Sequence, residues 1–136
     1  MRLSASLPCL AAIAVLATAS GEIRPTAAMR TARMAHTATT LRDGRILVAG
    51  GFAGESQAAV SAELYDPAAN RFGALPRMIA PRHSHTATLL RDGRVLLAGG
   101  YAADGTTASA ELYDPATRRF VATGTMRAAR AGHIAA

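Results

Sequence analysis

Hydrophobic and polar positions along this chain fall into short bursts, and the bursts recur. Residues 85–100, HTATLLRDGRVLLAGG, set two apolar runs, 87–90 and 95–98, on either side of Asp92-Gly93. An Asp-Gly pair between apolar runs predicts a β-hairpin, because tight turns need a positive φ that Gly adopts freely and Asp tolerates. The second run, Val95-Leu96-Leu97-Ala98, is continuously apolar, which predicts a strand covered on both faces. It ends in Gly99-Gly100, where missing side chains let another backbone approach or the chain turn sharply. A third strand follows at about 109–114, with Ala110 and Leu112 on one face and Glu111 and Tyr113 on the other. Asp114-Pro115 marks a turn, and a fourth strand covers 119–122.

The same pattern occurs earlier. Residues 36–51, HTATTLRDGRILVAGG, differ from the later copy at three positions: Thr40 against Leu89, Ile46 against Val95, and Val48 against Leu97. AELYDPA also occurs twice, at 62–68 and 110–116, and each copy is followed by a lone aromatic, Phe72 or Phe120. His36, His85 and His133 are equivalent, 49 and 48 residues apart, as are Arg33, Arg82 and Arg130. A four-stranded antiparallel meander of just under 50 residues is therefore written twice and begun a third time.

This unit resembles a Kelch repeat, in its bacterial secreted form. The family pattern is an apolar run, a Gly-Gly pair, then a Tyr and, after six intervening residues, a Trp. Gly50-Gly51 with Tyr65 and Phe72, and Gly99-Gly100 with Tyr113 and Phe120, match that pattern. Phe stands where the family usually has Trp. The resemblance implies an all-β fold of four-stranded β-propeller blades, within the galactose-oxidase-like superfamily. Blade 1 is expected at about 34–75, blade 2 at about 83–123 and the start of a third repeat at 126–136. Propellers carry about four to eight blades, so two blades predict an incomplete propeller. Open blade faces could be covered by self-association, but truncation is the favoured reading because the sequence stops partway through a strand.

The resemblance further implies that the turns between strands 1 and 2 and between strands 3 and 4 share one face. The 2–3 loops and the links between blades share the other. The turns are nearly identical between copies, whereas the 2–3 loops differ completely: FAGESQAAVS against YAADGTTAS. Variation gathered on one face of a constant scaffold predicts a binding surface there. Its candidate residues are Phe52, Glu55, Tyr101 and Asp104, with Arg33, Arg82 and Arg130 beside them.

Composition changes this picture little. The formal charge is +6, all of it arginine with no lysine, but the arginines recur with the repeat and form no run. Aromatics do not interleave with them, so nucleic acid is not an expected partner. The first 19 residues predict a cleaved signal peptide: Arg2, an apolar stretch over 7–16, and Ala17-Thr18-Ala19 as the cleavage site. That stretch is short of the roughly 18–20 residues that cross a bilayer. Residues 20–28 read as a linker. Export to the periplasm or beyond is thus expected, without membrane attachment after cleavage.

Catalytic chemistry finds little support. Cys9, the only cysteine, would leave with the signal peptide, so no thiolate and no disulfide remain. Galactose-oxidase-like copper enzymes need a tyrosine cross-linked to a cysteine, which excludes that cofactor here. The recurring histidines raise a metal reading, with His83 and His85 pointing the same way if the backbone between them is extended. The alternative is that each histidine satisfies a local backbone group. Asp43 and Asp92 read as turn residues, and Glu63, Glu111, Asp66 and Asp114 as repeat copies. The sequence therefore predicts no catalytic residue, cofactor or metal ligand, and a non-catalytic module binding a protein or glycan. Its alternatives are the remnant of a carbohydrate-oxidase-type propeller enzyme and an inactive gene fragment.

Overall fold

A computed structural model describes residues 15–17, 23–52 and 58–135. Most of the expected signal peptide and Glu55 lie outside them. Two short strands, β1 (Val15–Ala17) and β2 (Ile23–Pro25), pair antiparallel, so part of the expected linker is a strand. The first four-stranded sheet comprises β3 (Thr37–Thr40), β4 (Ile46–Ala49), β5 (Ala62–Asp66) and β6 (Arg71–Ala74) in sequence order. The second comprises β7 (Thr86–Leu89), β8 (Val95–Ala98), β11 (Ala110–Asp114) and β12 (Arg119–Ala122). Between β8 and β11 a small hairpin, β9 (Tyr101–Ala102) and β10 (Gly105–Thr106), rises from the 2–3 loop. The described residues contain no helix.

Each meander follows from its turn chemistry. In the 1–2 turn of blade 2, the Gly93 amide donates to the Leu90 carbonyl at 3.0 Å and the Leu90 amide to the Arg94 carbonyl at 2.8 Å. That is a three-residue loop with Gly93 at φ +91°. The expected positive φ at Asp92 is not found, and its role is different. Its carboxylate accepts from the Arg94 amide at 3.0 Å and from Arg94 Nε at 2.8 Å, closing the turn from the side chain. Asp43 does the same for Arg45. In the 3–4 turns, Asp66 accepts from the Ala68 and Ala69 amides, and Asp114 from the Ala116 amide.

The strand pleat gives each blade two unlike faces. On blade 1, Leu47, Ala49, Ala62 and Leu64 lie together, because Leu47 pairs with Leu64 and Ala49 with Ala62. We call this the front. On blade 2, Val95, Leu97, Glu111 and Tyr113 share the opposite, back face, with Phe120 beside Tyr113. The front of blade 1 and the back of blade 2 form one buried cluster, capped by Met78. The sheets approach along their first strands, β3 and β7, as blades fanning from an axis do. At the turns, the Arg42 guanidinium reaches the Arg91 carbonyl of the other blade.

Candidate functional site

The 2–3 loop face is built on the Gly-Gly pairs. After Gly51, Phe52 pairs with Met34 through two backbone hydrogen bonds of 2.8 and 3.3 Å; after Gly100, Tyr101 pairs likewise with His83 at 2.9 and 3.1 Å. These pairings bring each loop to the link that precedes its own blade. They set three rings in a row across the two blades. Phe52 and His83 have centroids 3.8 Å apart, and His83 and Tyr101 lie 5.1 Å apart, nearly parallel. Tyr101 is 42 % exposed and Met34, at the blade 1 end, 67 %. Asp104 is exposed at the tip of the β9–β10 hairpin. Burial in this row holds the His83 imidazole below its usual pKa, so it is a neutral ring at pH 7. The row offers apolar faces and polar edges together.

Arg33 and Arg82 do not belong to this surface, which corrects the expectation for them. Both are buried, and each clamps its own blade from inside. Arg82 Nη1 donates to the Gly99 and Ser109 carbonyls at 2.8 and 3.1 Å, its Nη2 to Ser109 Oγ at 3.1 Å, and its Nε to Glu111 Oε1 at 3.0 Å. Arg33 binds Gly50, Ser61 and Glu63 in the same way, except that Nη2 rather than Nε donates to Glu63 Oε1 and its Nε is buried without a partner. The carboxylates also accept backbone amides: Glu111 from Ile79, and Glu63 from Arg30 and Thr31. A charge is tolerated in such a place only when paired and saturated with hydrogen bonds. Glu63 and Glu111 are therefore the inner halves of two structural ion pairs. Sequence reasoning missed them, although the signal was present: a Glu on an otherwise apolar strand face, recurring in register with an Arg. Arg130, the third equivalent, is exposed.

The histidines hold blade to blade. His85 Nε2 lies 2.9 Å from Thr37 Oγ1 of the preceding blade, and His133 Nε2 lies 3.1 Å from Thr86 Oγ1. These partners are side chains of the neighbouring blade, where a local backbone group was the expectation. Ser84, at φ +52°, breaks the extended backbone between His83 and His85. Their rings consequently separate, one into the aromatic row and the other into the blade interface, and do not point the same way as they would on extended backbone. His85 is held down to a pKa of about 3 by its burial first, then by the Arg82 charge and the neighbouring histidines. Its Nδ1 is buried without a partner, so the second N–H of an imidazolium would be unsatisfied.

The remaining positions of the repeated pattern are packing residues. Tyr65 and Phe72 have centroids 4.7 Å apart, and Tyr113 and Phe120 5.0 Å. Gly50, Gly51, Gly99 and Gly100 are buried at the blade junctions.

No family model and no curated protein matches the chain. Solved structures do. A fungal alcohol oxidase with catalytic diversity among the AA5 family, in complex with copper, aligns with TM-score 0.70 at 20% identity. That alignment covers 82% of this chain and 26% of the oxidase chain. The structure of YjhT aligns with TM-score 0.73 at 17% identity, over 85% of this chain and 44% of that one. The chain thus spans about a quarter and under a half of these two proteins. The shared feature is the fold: all-β, antiparallel, four-stranded blades of a β-propeller, two of which lie in the described residues.

Proposed function

We propose that this chain is an exported Kelch-type propeller module that binds a protein or glycan without catalysis, through its 2–3 loop face. The observation that carries the reading is the Phe52–His83–Tyr101 row. Aromatic rings with a polar edge supply large contact area at low conformational cost; Tyr101 is exposed, Phe52 and His83 beside it are half-buried, and Phe52 and Tyr101 stand on the loops in which the copies differ. A remnant oxidase is the second reading, favoured only by the fold likeness to the copper alcohol oxidase. The residues do not suit that copper chemistry. Tyr65 and Tyr113 are buried against Phe72 and Phe120, and the one cysteine, Cys9, falls in the expected signal peptide.

The test is a screen of the purified chain on arrays of glycans and of extracellular proteins, followed by variants. Tyr101→Ala should weaken any ligand by about tenfold or more, as loss of a central aromatic contact does, while leaving the melting temperature unchanged. Replacing residues 101–107 by the loop of blade 1 should abolish binding. Full affinity after that exchange sinks the reading.

A further inference from the structure

Three equivalent arginines meet two different fates. Arg33 and Arg82 each saturate a buried set made of a Gly carbonyl, a Ser and a Glu. The described residues hold two such sets, and these two arginines fill both. Arg130 is exposed, with no side-chain partner among the described residues.

Its backbone is nevertheless already in place. Residues 126–133 dock on blade 2 as residues 78–85 dock on blade 1. The Met126 amide donates to Ala108 where that of Met78 donates to Val60, both at 2.8 Å. The Arg130 carbonyl accepts from Gly100 where that of Arg82 accepts from Gly51, both at 2.9 Å. Beneath this segment lies the front of blade 2. Its residues Leu96, Ala98, Ala110 and Leu112 are equivalent to Leu47, Ala49, Ala62 and Leu64, which the next blade buries to 4 % exposure or less. On blade 2 they line or flank an open groove of about 460 Å³, bordered by Thr86, Met126 and His133, and three of the four are only half-buried.

We infer that this groove takes one kind of occupant: a blade-forming polypeptide with an apolar back face and a Gly-carbonyl, Ser and Glu set that lacks its own arginine. The cation waiting at Arg130 selects for it. A buried Glu with no internal partner is costly, and Arg130 supplies that partner. A second copy of this chain does not fit. Its blade 1 carries Arg33 on Glu63, and its residues 29–36 would have to occupy the space that residues 126–133 fill.

A polypeptide covering residues 89–124 of this chain has the required chemistry: strands two to four with Gly99, Ser109 and Glu111, and no Arg82. Titrated into the full chain, it should bind one to one. Arg130→Gln should weaken it by about tenfold or more, as loss of a charge-assisted hydrogen-bonded pair does. Glu111→Gln in the probe should do the same, and the two changes together should cost little more than either. Because Arg130 is exposed, the R130Q chain should keep its circular dichroism and melting temperature. The same residues fused after Ala136 provide a second measurement, in which the melting temperature should rise by an amount that R130Q removes. Equal affinity for R130Q and the parent overturns the inference. So does self-association of the full chain that excludes the probe, and so does the absence of both binding and an Arg130-dependent rise in the fusion. This outcome is separate from the loop-face reading, since Tyr101 is not among the residues that line the groove.

Discussion

At Gly50 one methyl group decides whether two blades meet. A Cβ there would lie 2.3 Å from the Arg82 carbonyl oxygen and 2.8 Å from His85 Cε1, on a backbone at φ +66°. Gly44 has a similar positive φ, +83°, but open space around it. Gly44→Ala should therefore cost only the left-handed backbone, about 1–2 kcal/mol. Gly50→Ala adds displacement of a neighbouring backbone and should cost at least twice as much, read as the difference in melting temperature. Equal losses would mean that the junction tolerates a side chain. His85 makes the interface sensitive to acid. Its folded pKa of about 3 lies below the unfolded value of 6.5, so the unfolded chain binds the extra proton. Its stabilising effect is complete above pH 6.5 and is lost as the pH falls from there towards 3. Between pH 7 and 5 this amounts to about 2 kcal/mol. His36 and His83 are shifted in the same direction. Thermal melts across that range should show the fall, and His85→Gln should flatten it; an unchanged slope in the variant would place the sensitivity elsewhere.

At the scale of the element, the blade is a meander with an ionic clamp inside it. The strands and turns were legible because their cues are local: Asp-Gly and Asp-Pro turns, apolar runs and a period-two pattern. The clamp was not, because Arg82 and Glu111 meet only after the strands between them, β7 to β10, have folded. Arg82→Met leaves Glu111 buried without its cation and should destabilise by about 3–5 kcal/mol, measured by urea unfolding. Adding Glu111→Leu should recover only part of this, because the Gly99 carbonyl and Ser109 Oγ still lack the arginine and the Ile79 amide its acceptor. Full recovery would show that the carboxylate, rather than the whole hydrogen-bonded set, makes the arginine necessary. The aromatic row was half legible. Phe52 and Tyr101 stood out on the variable loops, whereas His83 did not, because the positive φ at Ser84 that turns its ring away from His85 and into the row has no cue in the local pattern.

For the molecule as a whole, the blades stack front to back, and unlike faces meet. The interface contains a neutral histidine, a buried ion pair and an apolar cluster, all built from residues that recur in register. Such stacking does not close on itself with two members. It repeats the same chemistry at the next position, where the front of blade 2 and Arg130 present what blade 1 and Arg82 already use. Propagation by nearest neighbours is what makes repeat architectures additive.

By itself the sequence determined the unit: its length, its four strands, its turns and the fact that it is copied, since each depends on neighbours within a few residues. Tertiary structure alone decided what the recurring polar residues do. Arginine, glutamate and histidine are charged or titratable side chains with the same local context whether they face a ligand or a neighbouring blade. Only the folding of distant strands around them, and the exclusion of water that follows, turned Arg33 and Arg82 into core and left Arg130 outside.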